Sequence, residues 1–218
     1  MTKKLSDCVS EFKSEINQIE SLFLSGENPT KVLAFQVPYS PLIDGCIVSL
    51  WDAWNRYIRS LFLASCSGEV VGLSGTRYKP QKPLSEATAL SILKKESKKK
   101  GSSFRTIDGE PSWYKVQSLA DIGNALGITN NNVILASISS SSVEIESGQS
   151  IPNPLEEIRN IRNFIAHKNS NTLSRAQKYM TPGTIEVSIH CHQKTFGGIA
   201  RFSSWVDTMD SIAEAAAE

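Results

Sequence analysis

Between residues 5 and 23 apolar side chains recur at steps of four and three: Leu5, Val9, Phe12, Ile16, Ile19 and Phe23. That is the repeat of one face of an α-helix. Gly26 and Pro29 supply end signals, and a connection containing Pro38 and Pro41 leads to a second run of the same kind. There Ile43, Ile47, Leu50, Trp54, Tyr57 and Leu61 again step by three or four, while Trp51 and Phe62 widen the stripe. A helix this apolar sits centrally, so the chain is predicted to be mostly α, with these tryptophans in its core rather than on a base-stacking platform.

The remaining bounds are permissive. With 218 residues, 40% of them hydrophobic, the chain can bury a proper core. Its 23 basic and 22 acidic residues nearly cancel, so a nucleic-acid partner would have to be engaged by a local patch. The start, MTKKLSDC, has no apolar signal region. The longest apolar stretch carries Asp52, Asn55, Arg56 and Arg59, which a membrane span would not tolerate. Cys8, Cys46, Cys66 and Cys191 lie far apart, as free, buried thiols in a reducing compartment would. The expectation is a soluble cytoplasmic protein without membrane contact.

Between residues 67 and 112 Gly68, Gly72, Gly75, Pro80, Pro83, Gly101, Gly109 and Pro111 break any long period. The segment is predicted to be a loop-rich insertion with one short helix, EATALSILKKESKKK. Its run KKESKKKG fits a solvated face as well as an RNA contact. VQSLADIGNALG and NNVILASISSS follow as two shorter helices around Gly127. Near the end, TIEVSIHCH alternates as a strand does, KTFGG offers a turn, and IARFSSWVDTMDSIAEAAAE closes as a helix; a short β-hairpin over 184–199 is expected. His190 and His192 would then share one strand face, with no third metal ligand at a recognisable spacing. GLSGT, residues 72–76, fits no nucleophile-elbow pattern, and no phosphate-binding or dinucleotide fingerprint occurs.

The segment IPNPLEEIRNIRNFIAHKN is well marked as a helix: Asn153 fits the N-cap, Pro154 the first helical position, and Glu156 and Glu157 the positive end of the helix dipole. At about 100° per residue, Leu155, Ile158, Ile161 and Ile165 form a core-facing arc. Glu156, Arg159, Asn160, Asn163 and His167 fall on the other side. Asn163 and His167 are one turn apart, and Arg162 stands at the edge of the apolar arc, where its stem is buried and its guanidinium needs a partner. A surface polar stripe with Arg162 salt-bridged to a neighbouring helix would also fit.

The hexad Arg162-Asn163-Phe164-Ile165-Ala166-His167 has the form R-N-x-x-x-H and resembles the R-x4-6-H motif of the HEPN superfamily, the higher eukaryotes and prokaryotes nucleotide-binding domains. It stands where that family carries it, late in a helical domain. The resemblance covers residues 1–171, interrupted by the insertion. It implies a single HEPN-like helical bundle over 1–218, acting as a metal-independent endoribonuclease with no cofactor. In that role His167 is the general acid or base for 2'-hydroxyl attack on the scissile phosphate, Arg162 clamps the phosphate and transition state, and Asn163 is an orienting donor. The resemblance further implies a homodimer with one composite site, RNA as substrate, and a toxin or antiphage defence role with an antitoxin or defence complex as partner. The chain departs from HEPN toxins paired with nucleotidyltransferase antitoxins, which carry a tyrosine two residues after the histidine; here Lys168 and Asn169 follow His167. The rival reading is a non-catalytic HEPN-like module that binds a partner protein or a nucleotide.

Overall fold

A computed structural model describes residues 3–26, 41–99, 112–144, 150–152, 154–180, 186–195 and 197–218. Among them lie nine helices and five short strands, so the chain is mostly α. Helix α1, Leu5–Ser25, buries all six residues of the first repeat, and α2, Pro41–Ser67, buries all eight of the second. Pro41 is the first residue of α2, where its missing N–H costs nothing. None of the helices is long and apolar enough to cross a membrane. Pro29, Pro38, the candidate cap Asn153, residues 100–111 and residues 184–185 lie outside the described residues.

The chain divides into two compact units: residues 1–12, 55–140 and 212–218 form the first, residues 13–54 and 141–211 the second. In the first unit β1, Lys3–Lys4, pairs parallel with β2, Val70–Val71, which pairs antiparallel with β3, Arg77–Tyr78. The turn between β2 and β3 comes close to the Ala217–Glu218 backbone; Leu73 N–H donates to Ala217 O at 2.8 Å, and a Cβ on Gly72 would strike Glu218 O. Helix α3, Glu86–Lys99, follows, burying Ala89 and Leu93. Helices α4, Val116–Leu126, and α5, Asn131–Ser139, are joined through Gly127, whose φ of 65° is the left-handed cap conformation that favours glycine. Phe62 meets Trp113 at 5.9 Å, and the Tyr57 hydroxyl donates to Ala213 O at 2.8 Å.

The described residues of the insertion hold the expected helix and, in addition, two short paired strands. The glycines that break the helical period at 68–75 turn the chain between two paired strands, a pattern too short to register as alternation.

The second unit holds β4, Ser142–Glu144, antiparallel to β5, Ser150–Pro152, then α6, Pro154–His167, and α7, Ser170–Ala176. Helices α8, Val187–His192, and α9, Arg201–Ala216, follow, with the end of α9 belonging to the first unit. Phe23 stacks on Phe202 at 4.3 Å and on the His192 ring at 4.6 Å.

The expected hairpin over 184–199 is not formed by its described residues. Residues 187–192 are helical, and His190 and Cys191, neighbours in sequence, are both buried. Adjacent residues of a strand point to opposite faces, so burying this pair on one side requires the helix. Of the hairpin only the turn and a single bridge between Lys194 and Ala200 remain, with Thr195 N–H donating to Ile199 O at 2.9 Å.

Candidate active site on the last turns of α6

The first two turns of α6 are buried: Pro154, Leu155, Glu157, Ile158, Asn160 and Ile161. After Ile161 burial stops. Arg162, Asn163, Phe164 and Ile165 are half-buried, and Ala166, His167 and Lys168 are exposed. Ile165 was expected in the core and is not fully covered. The helix end that carries the motif thus emerges from the core with two apolar residues partly uncovered.

On this end Arg162 and Asn163 are in contact: Arg162 Nη1 donates to Asn163 Oδ1 at 3.5 Å, the long limit of a hydrogen bond. The Arg162 Nε is buried with no partner among the described residues, which leaves a strong donor unsatisfied there. His167 makes no hydrogen bond or ion pair among the described residues. It is one turn beyond Asn163 and on the same face. Arg162 and His167, five residues apart, leave the helix axis in directions about 140° apart.

The helix ends abruptly. Lys168 adopts φ 44°, its N–H donating to Phe164 O at 2.8 Å, a left-handed conformation that costs a lysine what a glycine would avoid. Asn169 then caps α7 by accepting from Thr172 N–H at 3.0 Å, and Thr172 Oγ1 accepts from Asn169 N–H at 3.3 Å. The sharp stop keeps His167 at an exposed corner. Helix α7 packs back along α6, burying Ala176 and Met180, and brings Tyr179 beside Asn160. Asn160, expected on the solvent side, is buried for this reason. Burial and the Glu156 carboxylate push the Tyr179 hydroxyl up, so it stays protonated at neutral pH.

A second polar cluster escaped the sequence. Glu157 is completely buried, and its Oε1 accepts from Arg201 Nε at 3.1 Å and Nη2 at 2.8 Å and lies 2.9 Å from His190 Nε2. Its Oε2 accepts from Trp205 Nε1 at 3.2 Å, and His190 Nδ1 meets Gln193 Oε1 at 3.2 Å. The residue expected to serve the helix dipole is instead the acceptor that ties α8 and α9 to α6. A signal existed: Glu157 is one helical turn from Ile161 and borders the apolar arc, and Arg201 and Trp205 are themselves one turn apart. The Glu157 carboxylate and burial hold the Cys191 thiol well above its usual value, burial being the larger cause. His192, half-buried on Phe23, is pushed down by desolvation. His190 and His192 are thus packing residues, not an exposed pair, and among the described residues no three His, Cys, Asp or Glu side chains gather as metal ligands would. Cys8, Cys46, Cys66 and Cys191 form no disulfide.

Compared with known proteins, the chain matches no family model, no curated protein and no solved structure.

Proposed function

We propose that the chain is a metal-independent endoribonuclease of the HEPN type whose reacting groups are Arg162, Asn163 and His167. The observation that carries this reading is the contrast at one helix end: among the described residues, an arginine whose buried Nε has no acceptor, beside an exposed histidine whose side chain has no partner. Within a structural polar stripe the buried Nε would find a protein partner. A phosphodiester supplies what each lacks. Its non-bridging oxygens accept from the guanidinium fork, and its neighbouring 2'-hydroxyl offers a proton to the imidazole.

In the reaction the 2'-oxygen forms a bond to phosphorus as the bond to the 5'-oxygen breaks, leaving a 2',3'-cyclic phosphate and a 5'-hydroxyl. His167 takes the proton from the 2'-hydroxyl or gives one to the departing 5'-oxygen. Arg162 meets the charge that builds on the phosphoryl oxygens, and Asn163 orients the group. In line with the resemblance, the site is assigned to a homodimer in which the arginine of one protomer serves the histidine of its partner. The partly uncovered Phe164 and Ile165 give such a pair an apolar seam. The biological setting that fits is a toxin or antiphage effector acting on RNA and held in check by an antitoxin or defence complex.

Purified protein and its His167→Ala variant, incubated with total RNA in EDTA, test the activity. Wild type should release fragments with cyclic phosphate ends, and the variant should be slower by about 100- to 10,000-fold, the usual share of one acid-base group. Specific activity should also fall on dilution through the dimer dissociation range. A dimeric wild type that leaves RNA intact, or a monomer with full activity, defeats the corresponding half of the proposal; binding without cleavage points to the non-catalytic module.

A further inference from the structure

The overall charge of the chain is nearly zero, yet charge is not spread evenly along it. From Val116 to Glu157 there is no lysine or arginine, while from Ile158 to Ile185 there is no aspartate or glutamate. The second stretch carries Arg159, Arg162, Lys168, Arg175 and Lys178 as well as His167, and all six lie on the α6–α7 hairpin or the turn that ends it.

Helix α7 is sorted by face. Ala176 and Met180 are buried on its inner side, and Asn171, Ser174, Arg175 and Lys178 are all exposed. Asn171, Ser174 and Arg175 stand at i, i+3 and i+4 on α7, and Lys178 continues the exposed side in the turn that follows it. Arg175 and Lys178 have no ion-pair or hydrogen-bond partner among the described residues. Acidic residues flank the stretch without entering it: Glu157 is buried and already neutralised by Arg201, Glu156 acts on the neighbouring Tyr179, and Glu186 follows Lys178 by eight residues. Arg175, in the last turn of α7, suits the negative end of the helix dipole, while Lys178 beyond it adds like charge on the same exposed side.

We infer that the outer stripe of α7 is a docking surface for the sugar-phosphate backbone of single-stranded RNA. Arg175 and Lys178 would hold phosphates outside the reacting one, with Asn171 and Ser174 as neutral donors between them. The inference deepens the ribonuclease reading and rests on it for the identity of the strand. The stripe is joined to His167 by a two-residue turn, so a strand lying along α7 is led towards the exposed corner of α6. These contacts read phosphates rather than bases, so they set affinity and salt dependence more than cleavage sequence.

Binding of a labelled, unstructured RNA oligonucleotide to His167→Ala protein, measured by fluorescence anisotropy over a range of salt concentrations, tests this apart from catalysis. Adding Arg175→Ala and Lys178→Ala should weaken binding by about tenfold and flatten the slope of log affinity against log salt by about 1.4, the value for two phosphate contacts on a single strand. The exchange Arg175→Lys with Lys178→Arg should keep most of both. Lys94→Ala with Lys95→Ala, two exposed lysines of α3, should change neither. An unchanged slope on removing Arg175 and Lys178, or an equal loss on removing Lys94 and Lys95, overturns the docking surface. If wild type fails to cleave while the α7 substitutions still abolish RNA binding, catalysis fails and the surface stands. If wild type cleaves with an affinity that ignores both α7 residues, the reverse holds.

Discussion

At the start of α6 the Glu157 carboxylate is fully buried and both its oxygens accept hydrogen bonds, from Arg201 and from Trp205, with His190 at 2.9 Å. Five residues on, Arg162 has one hydrogen bond at 3.5 Å and a buried Nε with none, and His167 has no partner among the described residues. One helix thus treats its ionisable side chains in two ways. Where the backbone is covered by α8 and α9, a charge survives only because every lone pair is met, since an unpaired ion in that environment costs several kcal/mol. Where the helix leaves the core, pairing is incomplete among the described residues, and a buried donor is left over for something that is not part of the chain. The difference separates a polar group kept for the fold from one kept for a ligand, and burial alone would not have made it: Arg201 and Arg162 are both arginines drawn towards the interior.

Replacing members of each set tests that separation. The largest effect is expected from Glu157→Ala, which strands a buried guanidinium and a buried imidazole; stability should drop by about 3–5 kcal/mol, read from the urea midpoint at constant m-value. A loss below about 1 kcal/mol would mean that the cluster is not the anchor of α8 and α9. Arg162→Met should act in the opposite direction. Removing an unsatisfied donor while keeping the apolar stem should raise stability by about 1 kcal/mol, and ribonuclease activity should be lost with it. If this substitution instead destabilises the protein as much as Arg201→Met, Arg162 belongs to the fold and the contrast collapses. The smallest effect is Lys168→Gly, which relieves the left-handed conformation after His167 and should add about 0.5–1 kcal/mol, seen as a small rise in Tm. Should the melting temperature fall, the lysine side chain contributes more than its backbone conformation costs.

Much of this was legible before any coordinates. The periodic residues of α1 and α2 are buried as their spacing predicts, Gly127 separates α4 from α5, and Pro154 opens α6. Long repeats are readable because one helix face either is apolar throughout or is not. Six residues do not offer that redundancy, and TIEVSIHCH shows the failure: its alternation suggested a strand, and the burial of His190 beside Cys191 required a helix. Glu157 failed differently. Its place beside Ile161 on the helical wheel was visible, but a carboxylate near a helix N-terminus has a sufficient local explanation in the dipole, and the competing partners lie 33, 44 and 48 residues away. Within the candidate site the sequence identified the three residues and their order around the helix, and it placed Asn160 on the wrong side because nothing local announces that α7 turns back over it.

The sequence by itself determined the helices whose apolar faces repeat over several turns, the positions of Gly26, Gly127 and Pro154 at helix ends, and the presence of an arginine, an asparagine and a histidine on one helix. These are properties of spacing and of single side chains, fixed by backbone geometry within a few residues. Only the tertiary structure decided which end of α6 leaves the core, that Glu157 is held by three partners while Arg162 keeps a donor unmet, and that Arg175 and Lys178 face outward along α7. Each of those depends on which distant segment comes to lie against a given face. Burial and hydrogen-bond satisfaction are properties of that encounter rather than of the residue.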